Sequence, residues 1–261
     1  MRAIDAPLAG VARLLAGRGP FVSAHRGFSS EAPENTLPAL ATALDAGADI
    51  AEIDIRMTSD HVLVLMHDAR VDRTTDGAGL VSAITLADLK RLDAGSWFAP
   101  EFIGTTVPTL AEVLEWSGGR LPLIVELKNF PARDPAFIEK FVEVVQHFDA
   151  EEFVIASSFD HVTLRELNRR QPAWPLQMIV PCRLADPIHA ATAAGARLAS
   201  LEPEFVVAGD VAAMRAAGIA VLTTVMSQEH ARELSGIGID FFESDDVAMV
   251  RQAIEALDHR Q

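Results

Sequence analysis

The sequence predicts an α/β fold, a closed (β/α)₈ barrel with a small inserted subdomain. Short apolar runs alternate with helix-like segments along most of the chain, which indicates parallel strands joined by right-handed helical crossovers. Eight principal strands can be counted, and the 261 residues match the roughly 250 that such a barrel typically needs. An open doubly wound sheet is the alternative, and it has less support because no GxGxxG turn follows the first strand.

The elements follow one another in a regular order. The principal strands are expected to start at Phe21, Ile50, Leu121, Phe153, Leu176, Leu198, Ala220 and Asp240. A helix is expected over residues 35–46 because its apolar residues recur at helical spacing before Gly47 stops it. Later helices are expected over residues 135–148, 162–171, 187–194, 211–217, 229–234 and 247–257.

Two stretches depart from this order. Residues 68–108 lose the alternation of strand and helix, and we interpret them as a subdomain inserted into a single domain that spans residues 1–261. Residues 1–20 have an apolar middle that Arg13 interrupts, which is not the pattern of a secretory signal. We expect them instead to form a short helix that plugs the open bottom of the barrel.

The composition argues against several kinds of partner. A net charge of -15 disfavours nucleic acid and anionic lipid, because both require a basic surface. No apolar run approaches the ~20 residues of a membrane helix. We therefore expect a cytoplasmic protein with a small-molecule substrate and no stable membrane association, of unspecified oligomeric state. The single cysteine, Cys182, excludes an internal disulfide and is expected in the core.

Polar residues interrupt the apolar strands at their predicted carboxyl ends, which is where a (β/α)₈ barrel has its active site. In chain order these are His25 and Arg26, Glu52 and Asp54, His67 and Asp68, and Glu126 and Lys128. Alternate residues of a strand share a face, so both members of each pair spaced two apart can point into the barrel. The sequence therefore predicts one site built from several strand ends.

Three carboxylates of this set suggest a cation. Glu52, Asp54 and Glu126 would repel one another if they were left unpaired in an apolar barrel mouth. A hard divalent cation with oxygen ligands, Mg²⁺ or Ca²⁺, resolves that repulsion. The alternative is neutralisation by ion pairs, since both solutions offset the cost of buried charge. Its candidate partners are Arg26, Arg56 and Lys128.

The remaining polar residues suit work on a phosphate ester. His25 and His67 suit general acid–base catalysis because an imidazole gains and loses protons near neutral pH. Arg26 suits bidentate contact with a phosphate or carboxylate, and Lys128 can add a second cation.

A series of motifs then resembles the glycerophosphodiester phosphodiesterase family, a branch of the phosphatidylinositol-phospholipase-C-like phosphodiesterase barrels. The first 160 residues match that family's motifs in order and spacing. The motifs are HRG (25–27), PENT (33–36), GAD…EIDIR (47–56), HD (67–68), DRTTDGAG (72–79), GSWFAPEF (95–102), VPTLAEVL (107–114), VELK (125–128) and SSF (157–159).

The resemblance implies a TIM barrel with an insertion at about residues 68–108. It also implies metal-dependent hydrolysis of glycerophosphodiesters to glycerol 3-phosphate and an alcohol. Carried over by position, the family's site comprises two acid–base histidines, three metal ligands, two phosphate-binding cations and one supporting amide: His25 and His67; Glu52, Asp54 and Glu126; Arg26 and Lys128; and Asn35.

Several points stay open. The nucleophile is water or the substrate's own glycerol hydroxyl, and either histidine can be the initial base. Trp97, Phe98 and Phe102 form an apolar wall beside the substrate or a small core of the insertion, and Glu202 lines the pocket or points outward. Residues 241–250 lack the family's Thr-Asp-x-Pro ending, so the preferred alcohol is open as well.

Two other functions are compatible with this barrel. One is a phosphodiesterase acting on lysophospholipids or phosphoinositides, which would require an exposed apolar or basic surface. The other is a non-catalytic phosphate-ester-binding barrel, whose signature would be the loss of a ligand or histidine. All of those residues are present in the sequence.

Overall fold

The structure, a computed structural model, describes residues 10–17, 19–130 and 133–258. Its strands are β1 (Phe21–Ala24), β2 (Ile50–Met57), β3 (Leu63–Leu65), β4 (Leu123–Leu127), β5 (Val154–Ser158), β6 (Leu176–Val180), β7 (Leu198–Leu201), β8 (Ala220–Thr224) and β9 (Phe241–Ser244). Eight of them pair in parallel, and β1 bonds to both β2 and β9, which closes the barrel. Strand β3 is antiparallel to β2. The predicted fold class is confirmed.

Helices connect the strands and cover the barrel wall. They are α1 (Gly10–Ala16), α2 (Leu37–Asp45), α3 (Leu86–Leu89), α4 (Leu110–Ser117), α5 (Ala136–His147), α6 (His161–Arg170), α7 (Pro187–Ala194), α8 (Ala208–Ala216), α9 (Gln228–Ser235) and α10 (Val247–Asp258). Across the described ranges, none of these helices has the length and apolar character to cross a bilayer. The expected cytoplasmic location stays a prediction.

Inward-facing residues near the amino ends of the strands form an apolar layer. Members of this layer are Ile50, Ile124, Ile155, Leu198, Leu222 and Phe241. Helix α1 packs Val11 and Leu14 against it and so covers the bottom of the barrel. The predicted plug helix is therefore confirmed from Gly10 onward, while residues 1–9 of that prediction lie outside the described residues.

Shortening the plug residue is expected to destabilise the fold. Leu14 is 1% exposed, so Leu14→Ala would leave a cavity and lower the free energy of unfolding by roughly 2–5 kcal/mol. Urea denaturation monitored by circular dichroism measures the difference. Arg13→Ala is the matched control, because Arg13 is exposed on the same helix and its loss should cost little. Equal stability of Leu14→Ala and the wild type would contradict the plug.

The next inward layer toward the carboxyl ends is polar. Side chains on a strand alternate between faces, so the residue two positions after an apolar inward residue also points inward. That residue is Glu52 after Ile50, and Glu126 after Ile124. Ser157 on β5 and Glu243 on β9 have the same relation to inward apolar residues and are also buried. The strand period thus places polar groups directly above the apolar core.

The segment between β3 and α4 adds no barrel strand. It contains α3 and the bridge between Arg70 and Leu80, and together with Val64 of β3 it forms a small apolar cluster. That cluster consists of Val64, Met66, Val71, Val81, Leu89, Ala94 and Val107. The division into one domain with a subdomain at about residues 68–108 stays a prediction.

Cys182 is exposed, so the expectation of a buried cysteine is wrong. Strand β6 ends at Val180, and the chain has left the barrel wall by the time it reaches Cys182. The apolar run that precedes the cysteine made it look like part of the strand.

Candidate active site

Three buried carboxylates meet inside the carboxyl end of the barrel. Glu52 and Asp54 lie on β2 and Glu126 on the neighbouring β4, where Asp54 is directly opposite Glu126. One oxygen from each carboxylate lies within 4.8 Å of the others. Three hard oxygen donors in so small a space suit Mg²⁺ or Ca²⁺. The structure therefore brings together the ligand set that the sequence indicates.

The carboxylates shift one another's proton affinity. Burial and the charge of Asp54 raise the pKa of Glu52 well above its ordinary value, and they raise the pKa of Glu126 to about 7. Burial acts in the same direction on Asp54, but the charges of Lys128 and Arg26 outweigh it and lower the pKa of Asp54. The raised pKa values of Glu52 and Glu126 indicate that the nearby cations do not balance three carboxylates, and a divalent cation would supply the missing positive charge.

Lys128 and Asn35 hold the middle of the cluster. The Lys128 Nζ lies 3.0 Å from Asp54 Oδ1 and 2.7 Å from Glu126 Oε1. Asn35 Nδ2 donates to Asp54 Oδ2 at 2.8 Å, and Asn35 Oδ1 accepts from the backbone N–H of Asp54 at 2.9 Å. The ion-pair alternative is thus present in part, through Lys128. Each carboxylate oxygen has two lone pairs, so these contacts leave acceptor positions for a cation.

Arg26 reaches the cluster through an unusual backbone conformation. Its φ of 58° is left-handed, and its backbone N–H donates to Glu52 Oε2 at 3.1 Å. Its Nη1 donates to Glu34 Oε1 at 2.9 Å. Gly27 follows with a φ of 84°, and a Cβ there would lie 2.7 Å from Ala39. The HRG turn therefore needs its glycine to bring Arg26 inward.

Arg56 does not pair with the carboxylates, so it takes no part in the ion-pair alternative. Its Nε and Nη2 donate to the backbone carbonyl of His67 at 2.9 and 2.7 Å. Its Nη1 reaches the carbonyl oxygens of Lys128 and Phe130. Arg56 follows Asp54 on the same face of β2, but it lies close enough to the strand end to bond to the loops beyond it.

Each candidate acid–base histidine is held by a carboxylate. His25 Nδ1 is 2.7 Å from Asp245 Oδ1, and His67 Nδ1 is 2.7 Å from Asp68 Oδ1. Such contacts fix the orientation of the ring and leave Nε2 to face a substrate. The two rings are therefore both oriented through Nδ1 by a neighbouring carboxylate.

The surroundings shift the pKa values of the two histidines in opposite directions. Burial acts to lower the pKa of His25, but the hydrogen bond to Asp245 and the charge of Glu52 outweigh it and raise the pKa to about 9. Burial also acts to lower the pKa of His67. In this case its effect is larger than that of the Asp54 charge, which raises the pKa, so the pKa of His67 is lowered. The two groups therefore differ in their affinity for a proton.

Reasoning from the sequence did not assign three further carboxylates of the candidate site. Glu34 holds Arg26, Asp245 holds His25, and Glu243 is buried on β9, where Ser23 Oγ donates to it at 3.1 Å. Burial raises the pKa of Glu243. The run ESDD marks Glu243 and Asp245 as polar residues at the end of the final strand, but it does not indicate which group of the site each one contacts.

The aromatic residues of the inserted segment contact one another. The ring centroids of Trp97 and Phe98 are 5.6 Å apart, and those of Phe98 and Phe102 are 5.5 Å apart, both edge to face. This packing agrees with the interpretation that the aromatic residues form a small core of the insertion, although Trp97 remains 39% exposed. Glu202 is exposed where β7 ends. Pocket roles for Trp97, Phe98 and Glu202 stay predictions.

Loss of the Asp245 charge is expected to lower kcat by at least about tenfold. General acid–base catalysis contributes roughly 10²–10⁴-fold, and a misoriented His25 would lose part of that contribution. Asp245→Asn would keep the shape of the side chain but remove the charge that orients His25. Steady-state kinetics measures kcat. The control is Asp246→Asn, because Asp246 caps α10 through Met249 and asparagine caps equally well. Equal losses in both variants would contradict a role specific to Asp245.

The fold and this site define a class, the (β/α)₈-barrel phosphodiesterases with carboxylates and histidines at the strand ends. Within that class, the chain belongs to the glycerophosphoryl diester phosphodiesterase family, whose model matches residues 25–249. The motif series found in the first 160 residues had indicated the same family.

Sequence relatives support this assignment. A glycerophosphodiester phosphodiesterase of Caldanaerobacter subterraneus is 41% identical over 171 residues, which are 65% of this chain and 70% of the relative. One of Bacillus altitudinis is 40% identical over 160 residues, which are 60% of this chain and 65% of the relative. The chain thus matches about two thirds of the length of these relatives.

Solved structures match almost from end to end. A phosphodiesterase of Oleispira antarctica, in complex with the product sn-glycerol-3-phosphate, is 31% identical with a TM-score of 0.84, over 90% of this chain and 97% of that one. A glycerophosphodiester phosphodiesterase of Agrobacterium tumefaciens is 29% identical with a TM-score of 0.78, over 89% of this chain and 99% of that one.

Proposed function

We propose that this protein hydrolyses glycerophosphodiesters to glycerol 3-phosphate and an alcohol. The observation that supports the proposal most directly is the buried cluster of Glu52, Asp54 and Glu126, flanked by cations and by two carboxylate-held histidines. The Oleispira relative, which was solved with sn-glycerol-3-phosphate, supports the same product for this chain.

The cations of the site would bind the phosphate. Arg26 and Lys128 lie beside the carboxylate cluster, and their N–H groups can donate to the non-bridging oxygens of a phosphodiester. A divalent cation held by Glu52, Asp54 and Glu126 would supply Lewis-acid stabilisation of the charge on those oxygens. Asn35 would keep Asp54 in place while the site is loaded.

The histidines would move the protons. One histidine accepts the proton of the nucleophile while the nucleophile's oxygen bonds to phosphorus. The other histidine donates a proton to the oxygen of the leaving alcohol while the bond between that oxygen and phosphorus breaks. Asp245 and Asp68 would hold His25 and His67 in position for these transfers. The nucleophile is water, or it is the glycerol hydroxyl, in which case a cyclic phosphate forms first and water then opens one of its ring P–O bonds to give glycerol 3-phosphate. Phosphorus NMR during turnover distinguishes them, because the cyclic ester has its own resonance.

An activity screen tests the proposal. The purified protein should release glycerol 3-phosphate from at least one of glycerophosphocholine, -ethanolamine, -glycerol and -inositol, with Mg²⁺ and Ca²⁺ compared. The preferred alcohol and cation then follow from the relative kcat/KM values. Calorimetry that detects phosphate-ester binding without any turnover would favour the non-catalytic barrel instead.

One observation favours a second candidate, hydrolysis of a single-chain lysophospholipid. In the described part of the chain, the large apolar side chains that are exposed all lie beyond the carboxyl ends of strands, on the side of the active site. They are Leu80, Trp97, Ile103, Phe159, Val162, Phe205, Val207 and Met226. Met226 is the most exposed of them, at 78%. An apolar rim of this kind could receive an acyl chain.

The two candidates differ in their response to a rim variant. If lysophospholipids are the substrates, kcat/KM for lysophosphatidylcholine below its micelle concentration should exceed that for glycerophosphocholine. Met226→Ser should then lower the first value and leave the second unchanged. We rank this candidate below the first because the net charge of -15 gives the surface no attraction for anionic membranes.

A further inference from the structure

A series of alternating charges runs from Arg26 through Glu34, Arg73 and Asp68 to His67. Arg73 belongs to the segment between β3 and α3. Its Nη1 and Nη2 donate to the two carboxylate oxygens of Glu34 at 2.6 and 2.8 Å. Its Nε donates to Asp68 Oδ2 at 2.7 Å. One guanidinium thus holds two carboxylates at once.

Each of those carboxylates holds a group of the site. Glu34 Oε1 accepts from Arg26 Nη1 at 2.9 Å, and Asp68 Oδ1 lies 2.7 Å from His67 Nδ1. Arg26 is the proposed phosphate-binding arginine, and His67 is one of the two proposed acid–base histidines. A single carboxylate therefore separates Arg73 from each of them.

The exposures of these side chains indicate which of them depends most on Arg73, whose own side chain is 44% exposed and carries three hydrogen bonds to the two carboxylates. Glu34 is largely covered, with 13% of its side chain exposed, but Asp68 is 35% exposed and can rotate into water when nothing holds it. The hydrogen bond from Arg73 is the main cause that lowers the pKa of Asp68, to about 2. A planar guanidinium fixes the direction of each bond, whereas a lysine ammonium does not.

We propose that Arg73 is a positioning residue that orients Arg26 and His67 together through Glu34 and Asp68. The segment between β3 and α3 then sets the geometry of a site whose other groups come from the barrel. The inference rests on the proposed function, since it assigns no reaction of its own. It goes further in one respect, because it couples phosphate binding to proton transfer through one residue.

The test replaces Arg73 in the full-length protein. Arg73→Ala should lower kcat/KM by about 10- to 100-fold, the usual range for partners that orient a site from outside it. Both kinetic constants should change: KM rises because Arg26 is released, and kcat falls because His67 is released. Arg73→Lys should recover only part of the loss, and added methylguanidine should partly restore Arg73→Ala.

Arg70→Ala is the matched control. Arg70 lies in the same segment and is exposed, and its ion pair is with Asp72. It should keep wild-type constants. A merely structural role for Arg73 would reduce the fraction of active protein, and so kcat alone, with KM unchanged and no rescue by methylguanidine. That outcome, or unchanged kinetics in Arg73→Ala, would overturn the proposal.

Failure of the proposed function would have a different signature. Wild-type protein without turnover on any glycerophosphodiester would count against that function and not against Arg73. The affinity for glycerol 3-phosphate, measured by calorimetry, then tests the Arg26 half of the inference. It should fall at least about tenfold in Arg73→Ala and stay unchanged in Arg70→Ala. Equal affinities in the two variants would overturn the inference.

Discussion

Removal of divalent cations with a chelator is expected to abolish turnover, and addition of Mg²⁺ or Ca²⁺ to restore it. Glu52, Asp54 and Glu126 lie together in a buried space where one lysine and one arginine do not match their charge. Lewis-acid stabilisation is worth several kcal/mol, so the loss should be on the order of a thousandfold. Initial rates in excess chelator, followed by titration with each cation, measure it.

A variant of one ligand separates cation binding from a general loss of activity. Glu126→Gln removes one negative charge from the set, so the cation concentration for half-maximal activity should rise. Binding of Mg²⁺ or Ca²⁺ followed by calorimetry should weaken in parallel, which gives a readout independent of turnover. The control is Glu143→Gln, because Glu143 is exposed on α5 and pairs with Lys140. Full wild-type activity in excess chelator would refute the cation altogether.

The barrel and the carboxylate cluster could be predicted because both depend on local periodicity. The spacing of two between Glu52 and Asp54 places both on one face of β2, whatever the rest of the chain does. The apolar run that ends at Glu126 marks another strand end in the same way. Parallel strands bring their carboxyl ends to the same edge of the barrel. The proximity of these residues can therefore be predicted even when the register between the strands is not known.

The groups that hold the histidines and arginines could not be found by that reasoning. Asp245 and His25 are 220 positions apart, and they meet only because β9 closes the barrel against β1. Glu34 and Arg73 are 39 positions apart, in two loops with no strand period to place them. Their pairing depends on three-dimensional closure, about which the local pattern contains no information.

The positions of strand ends explain where the sequence pattern stops being informative. Arg56, which the ion-pair alternative included, has the strand parity of Asp54, but it lies near the end of β2, where its guanidinium bonds to loop carbonyls. Cys182 follows an apolar run, but the run stops at Val180. The left-handed backbone of Arg26 and Asn35 was likewise not readable, since neither residue is a glycine. Local pattern identifies strands well and their last residues poorly.

Loss of either histidine is expected to lower kcat by roughly 10²–10⁴-fold, the contribution typical of general acid–base catalysis. His25→Ala and His67→Ala each remove one of the two imidazoles held by carboxylates at the site. KM should change less, because phosphate binding is assigned to Arg26 and Lys128. The double variant should lose less than the product of the two single effects, since groups that act as a unit are not additive. His189→Ala is the control, because His189 is exposed on α7.

The leaving group then assigns the two roles. A glycerophosphodiester of p-nitrophenol releases a phenolate that departs without a proton, so the variant that lacks the acid should recover most of its rate on this ester. The variant that lacks the base should stay slow, because its nucleophile still has to lose a proton. Recovery of one variant alone therefore identifies the acid. Recovery of both, or near-wild-type turnover of either variant on glycerophosphocholine, would contradict the two-histidine mechanism, since acid and base would then not be separate groups.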